Sequence, residues 1–310
     1  MKKNLFLLGL LVCSMATMAQ TEKADKPESW YFKLGGSYFI QTAAAEFPTV
    51  SGALPNTDVY GADGTTLISR ETNHGSFGQG FRTGLTAGYR FTPRLGVELG
   101  FNYFNSADKT MVETTHRLVA AGPTFVNGKA VGKLEAYDIA PAIVLFLGQT
   151  HGFEPYTKVG VIVPVHGTLD IETTRTYTNP AGTTETYSKD VIKPNPTVGF
   201  TAALGTSYKL GTHISLFAEV EYRNFTVHGK TKETEIYTEN GVDKLNTPTS
   251  FRPDASYSAS HTKYVEQINT TSNSKVTNAA GFDNTKATDD ISSYVGISGL
   301  GLTVGLKYSL

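Results

Sequence analysis

Eight stretches of this chain alternate apolar and polar residues with a period of two, and no later stretch is apolar enough to cross a bilayer as a helix. A period of two places every second side chain on the same face of a β-strand. The alternation is clearest from Gly80 to Tyr103. Phe81, Leu85, Ala87, Tyr89 and Phe91 share one face, with Arg82, Gly84, Gly88 and Arg90 opposite. After the turn Thr92-Pro93-Arg94, Leu95, Val97, Leu99, Phe101 and Tyr103 alternate with Gly96, Glu98, Gly100 and Asn102. The same rhythm recurs over Trp30 to Ile40, Leu134 to Leu147, Phe153 to Val165, Thr197 to Lys209, Ile214 to Arg223 and Tyr294 to Leu310.

The connections are unequal. Those after the second, fourth and sixth segments are turns of roughly three to five residues. The others, 41–79, 105–133, 166–196 and 226–293, are long, and short and long alternate throughout. Only helices and closed barrels satisfy their backbone within a membrane, and membrane barrels carry short turns on one rim and long loops on the other. The chain therefore predicts an all-β fold: an eight-stranded antiparallel transmembrane up-and-down β-barrel with long extracellular loops.

Charge placement chooses a lipid-facing exterior over an oily interior. Arg82, Arg90, Lys158 and Arg223 fall on the face opposite the apolar residues, as do Glu98, Asp138, Glu219 and Glu221. Opposite charges in a narrow lumen pair off, whereas an Arg or Lys at the bilayer midplane costs about 2–4 kcal/mol. These eight residues are the expected lumen network, structural or gating, with Lys33, Glu154 and Lys307 on the same face. Aromatic residues gather at the strand ends. Tyr89, Phe91, Phe153, Tyr208 and Tyr308 mark a turn-side girdle, and Tyr38, Phe81, Tyr103, Tyr137 and Tyr222 a loop-side girdle.

The N-terminus sets the compartment. Lys2 and Lys3 precede an apolar run from Leu5 to Val12 and then the small residues Ser14, Ala16 and Ala19. This is the layout of a signal peptide over 1–19, followed by a periplasmic segment over 20–29 and the barrel over 30–310. Cys13, the sole cysteine, falls within the removed segment, so no disulfide is expected. With 27 basic and 28 acidic residues, composition offers nothing to nucleic acid.

Three stretches, Gly80 to Tyr103, Asp138-Ile-Ala-Pro-Ala with Phe153-Glu-Pro-Tyr156, and Leu216-Phe-Ala-Glu-Val-Glu-Tyr222, resemble the small outer-membrane barrels of the OmpA-like and OmpX-like superfamily, loosely including OmpW-type barrels. The resemblance covers strands and not loops, and it implies the outer membrane of a Gram-negative bacterium. It also implies that Leu302 to Leu310 is read by the barrel-assembly machinery, although the chain ends in Leu310 rather than an aromatic residue. No peptidoglycan-binding domain follows the barrel.

Eight strands leave an interior that side chains fill. The leading expectation is a non-enzymatic scaffold that meets an extracellular ligand or surface partner through its loops, with outer-membrane lipids around it and no cofactor or metal. The alternative is a narrow porin-like channel, or a lateral path for small solutes, in which Pro141, Pro155 and Pro164 interrupt pairing; such prolines more often mark strand ends or bulges. An embedded hydrolase would need a nucleophile beside a histidine and a carboxylate. His74, His116, His151, His166, His213, His228 and His261 lie in loops, turns or strand ends without metal-ligand spacing, and His166 and His228 fall nearest the extracellular rim.

Overall fold

The structure, a computed structural model, describes residues 29–120, 122–195 and 197–310. The expected signal peptide, and all but the last residue of the segment 20–29, lie outside the described residues.

Among those residues the chain is all-β. The strands are β1 (Trp30–Gln41), β2 (Ala45–Glu46), β3 (Asn56–Tyr60), β4 (Leu67–Thr72), β5 (His74–Gly75), β6 (Gly80–Arg90), β7 (Leu95–Ser106), β8 (Lys109–Ala120) and β9 (Thr124–Phe146). They continue as β10 (Phe153–Asn179), β11 (Gly182–Asn195), β12 (Gly199–Lys209), β13 (Ile214–Glu239), β14 (Val242–Asp243), β15 (His261–Val265), β16 (Thr288–Ile291) and β17 (Tyr294–Ser309). A single helical turn, α1 (Tyr257–Ser260), precedes β15.

The pairing order β1, β6, β7, β9, β10, β12, β13, β17 returns to β1, every contact antiparallel. At the closure, pairing runs without a register shift from Tyr31 opposite Ser309 to Gln41 opposite Gly299. A closed sheet has no edge to template aggregation. Its outward residues are large, apolar and exposed, among them Phe32, Leu34, Phe81, Leu85, Leu99, Leu204, Val220 and Leu302. From Trp30 to Ile40 this face runs about 33 Å along the strand, or about 25 Å at a barrel's usual tilt, the height of a hydrocarbon core. Aromatic contacts gird both ends. Trp30 and Tyr89 centroids lie 4.9 Å apart, as Phe153 and Tyr208 do at 4.6 Å, on the turn side. Tyr38 and Phe81 at 4.8 Å, and Tyr103 and Tyr137 at 5.0 Å, lie on the loop side.

The expectation of eight strands is too low. Two of the long connections, 105–133 and 166–196, are largely β-structure, because their Thr, Val, Ile and Tyr content sustains strands beyond the apolar band. β9 and β10 stay paired as far as Phe125 opposite Thr178. β11 turns back along β10 and also pairs β13, while β8, β3 and β4 follow outward from β9. Met111 to Val119, expected as an optional hairpin, lies within β8. The last connection, whose Thr, Ser and Asn content suggests a solvated, partly disordered loop, is stapled by its own polar side chains. Asn273 alone donates to the carbonyls of Asp283 and Ala287 and accepts the Asp283 N–H.

The interior changes character along the axis. Towards the turns it is charged. Towards the loops it is an apolar core in which Phe39, Phe104, Ile162, Phe225 and Ile297 from the ring meet Phe77 from the first long connection. Ser76 pins that connection across the mouth: its hydroxyl lies 3.1 Å from the Gly296 and Ser298 carbonyls and accepts the Ser298 N–H at 2.8 Å. Aromatic side chains enter the charged half only where glycine makes room. A Cβ on Gly88 would sit 2.2 Å from Cζ of Tyr31.

Candidate functional site

The charged half is a ladder of buried ion pairs in three tiers. Nearest the turns, Glu154 accepts Arg90 at 2.8 Å and Lys307 at 3.2 Å, and the Arg90 guanidinium lies 3.6 Å from the Phe146 ring centroid. In the middle tier Lys33 bridges Glu98 at 2.5 Å and Glu219 at 3.0 Å, while Lys158 reaches Glu219 at 2.6 Å and Glu98 at 3.5 Å. The phenol of Tyr31 donates to Glu98 at 3.1 Å, and that of Tyr156 to Glu219 at 2.8 Å. In the third tier Arg82 forks onto both oxygens of Glu221, at 2.7 and 2.5 Å, with Thr201 donating to the same carboxylate. Arg223 meets Asp138 at 2.6 Å, and Asn102 donates to Asp138 at 2.8 Å.

All eight sequence-predicted lumen residues thus face inward; seven of them form ion pairs among themselves, and Arg90 pairs with Glu154 instead. A cavity of only about 40 Å³ is left among them. The alternation also puts Ser37, Tyr156 and Thr303 on the inward face without revealing their pairing, and sequence reasoning missed Tyr31 and Thr201 as partners in the ladder. It also missed the apolar core above. The signal was present in the phase of the alternation, since Phe39, Phe104, Ile162 and Phe225 keep step with Ser37, Asn102, Gly160 and Arg223 rather than with the lipid-facing residues.

Above the ladder lies a chamber of about 680 Å³. Val50, Leu134, Leu169, Ile171, Phe225, Val227, Val295 and Ile297 make its apolar wall, and its rim carries His166, Asp190, His228, Lys232, Tyr264 and Asp290. Burial, then Asp290 and Asp190, push the Tyr264 hydroxyl up to about 12, which keeps it a neutral donor at ordinary pH.

The barrel wall is broken beside this chamber. β10 pairs β12 as far as Ile162 opposite Gly199, and pairs β11 from Leu169 opposite Ile192 onward. The same number of residues separates these pairs on each strand, so the register continues across the break. No ladder pair joins the described residues in between. Pro164 and Pro194, which have no N–H to donate, sit on opposite sides of the break. On its other edge β10 shifts register against β9 between Pro164 and His166. Pro155 lies within a continuous ladder opposite Thr206, and Pro141 is paired with Leu99 on its β7 edge, although the β9–β10 ladder lacks the pairs at Pro141 and Ala140. The slit begins at Val163, opposite Ile139, and spans the level of Tyr137 of the loop-side girdle, which pairs with His166. Val165 and His166 line the chamber and are exposed, joining its inside to the barrel's outer surface.

His228 has a serine neighbour that its sequence surroundings did not reveal: Nδ1 lies 3.2 Å from the Ser292 hydroxyl. Ser292 donates to the Gly229 carbonyl at 3.0 Å, and among the described residues no carboxylate hydrogen-bonds His228.

A closed, ion-paired ring with an exposed apolar belt and aromatic girdles is the architecture of a membrane β-barrel, and the sequence matches the outer membrane protein β-barrel domain over residues 5–258. The chain belongs to that family. Its place is the outer membrane of a Gram-negative bacterium, and the match ends before β17, the strand that closes the ring. No curated protein matches the chain. Among solved structures, the outer membrane protein OprG from Pseudomonas aeruginosa aligns over 93% of this chain and 98% of its own, at 14% sequence identity and a TM-score of 0.43.

Proposed function

We propose that the ring of eight strands is the membrane-crossing part of this family member, that its lumen is closed by the ion-pair ladder, and that the chamber above receives small apolar molecules sideways through the slit. The slit between β10 and the start of β12 carries this reading. It joins a mostly apolar cavity, of a size usual for small-molecule sites, to the exposed surface at the level of the outer girdle. Beneath the cavity, the apolar core and three tiers of paired charge leave no comparable space. The extracellular strands build the chamber's walls, so the expected role of the long loops in interaction takes the form of a receptor cavity rather than a pore. The role is binding, without catalysis.

A disulfide across the slit tests this directly. Val163 and Val198 are opposite in the continued register and both face outward. With Cys13 in the expected signal peptide, a Val163→Cys/Val198→Cys variant holds the only thiols of the mature chain. In vesicles, an environment-sensitive apolar dye such as N-phenyl-1-naphthylamine is expected to load the reduced variant and to lose most of its signal on oxidation, with recovery on reduction. Equal loading of oxidised and reduced barrels would refute sideways entry.

A further inference from the structure

The chamber's rim holds opposite charges that do not neutralise each other. Asp190 on β11 is opposite Thr234, and Lys232 on β13 is opposite Ile192. Both side chains line the cavity, beside Ile192, which packs on the apolar core. They are diagonal neighbours on one face, a spacing long side chains can span, yet no ion pair forms between them. Asp190 is only 5% exposed and accepts a single bond, from the Thr234 hydroxyl at 2.5 Å. Among the described residues no second side chain hydrogen-bonds it, and none bonds Lys232, which is half-buried. A buried carboxylate normally gathers several donors or a cation, because leaving it short costs stability. Asp290 and the Tyr264 hydroxyl lie on Asp190's side of the rim, so one pole is negative and offers an aromatic ring, while Lys232 supplies a separate positive point. Glu135, Asp190 and Asp290 are matched in number by Lys193, Lys230 and Lys232 around the cavity, which leaves it without net charge.

A cavity that holds both charges apart, above aliphatic walls and beside a slit facing lipid, complements a molecule with the same layout. We propose that the chamber binds a single-chain zwitterionic amphiphile of the lysophospholipid class, its ammonium at Asp190 and Tyr264, its phosphate at Lys232, and its chain along Leu169, Val227 and Val295. This rests on the slit-and-chamber reading above and narrows it to one headgroup chemistry. A net anion would meet Asp190 and Asp290, and a net cation would meet Lys232, so each loses at one pole what it gains at the other.

The test uses the full-length barrel in vesicles, with folding verified by heat-modifiable gel mobility. Fluorescent lysophospholipids of identical chain, one with an ethanolamine head and one with a glycerol head, are compared with the uncharged dye. The ethanolamine probe is expected to bind roughly tenfold tighter than the glycerol probe, a difference of about 1.4 kcal/mol. Asp190→Asn and Lys232→Gln should each weaken the ethanolamine probe by a similar factor and leave the dye unaffected. Asp190→Asn should in addition bring the glycerol probe level with it. Equal binding of the two heads, or indifference of both variants to the head, overturns the assignment while dye loading preserves the chamber. If neither dye nor lipid loads a folded barrel, the chamber reading and this inference fail together.

Discussion

Glu221→Leu alone is expected to destabilise the barrel by about 3–5 kcal/mol, whereas Arg82→Leu with Glu221→Leu should recover most of that loss. The sign follows from the third tier. Arg82 is 7% exposed and places two guanidinium nitrogens on Glu221, with Ser37 and Thr303 as its remaining partners at 3.1 Å. Removing the carboxylate strands a buried cation in a lumen with little room for water. Removing both charges replaces the pair with apolar volume, which the neighbouring Phe39 accommodates; its ring centroid already lies 4.9 Å from the guanidinium. Urea unfolding in vesicles, followed by tryptophan fluorescence of Trp30 and by gel mobility, separates the two variants. If single and double variants unfold at the same midpoint, the pair does not hold the lumen as described.

Phe77→Ala is expected to cost a similar amount, about 3–5 kcal/mol, by leaving a cavity where a ring was. Phe77 is fully buried, with Phe47 at 5.4 Å between centroids, and Met111 beside it over Gly132. The loss should be uneven. The ring strands keep their ladder, while the connection 41–79 loses the anchor that holds it across the mouth, so limited proteolysis should cut there first. Wild-type resistance of that connection in the Phe77→Ala barrel would show that Ser76 and its bonds to Gly296 and Ser298 are sufficient by themselves.

How much of this was legible in the sequence depends on which force sets each feature. The lumen charges could be read from the alternation, because a bilayer penalises any Arg or Lys in the opposite phase; Arg82, Glu98, Glu219 and Arg223 had one place to go. Which charge meets which could not, since partners such as Lys33 and Glu219 are far apart in the chain and meet only across the closed ring. The apolar core was hidden by the same rule that revealed the charges. Phe39 and Phe225 are apolar residues in the inward phase, and an inward phase assumed to be polar passes over them. The length of β9, β10 and β13 was missed because threonine and charged residues carry strand structure beyond the apolar band, where alternation of hydrophobicity fades although the backbone pattern continues. Pro164 illustrates the limit of composition. Pro141, Pro155, Pro164 and Pro194 all lie in strands, and only pairing distinguishes Pro164 and Pro194 beside the slit from Pro155, whose ladder stays closed, and from Pro141, which is paired on its β7 edge.

The central claim is that the lumen is shut and the chamber is reached from the side. Single-channel recording of the refolded barrel in a planar bilayer tests it most directly, with heat-modifiable mobility as proof of folding. The ion-pair ladder predicts silence: no discrete steps across the voltages a bilayer withstands. Reproducible openings from demonstrably folded protein, with a conductance or ion preference that changes in Glu219→Gln, would contradict it and make the charged tiers the lining of a pore.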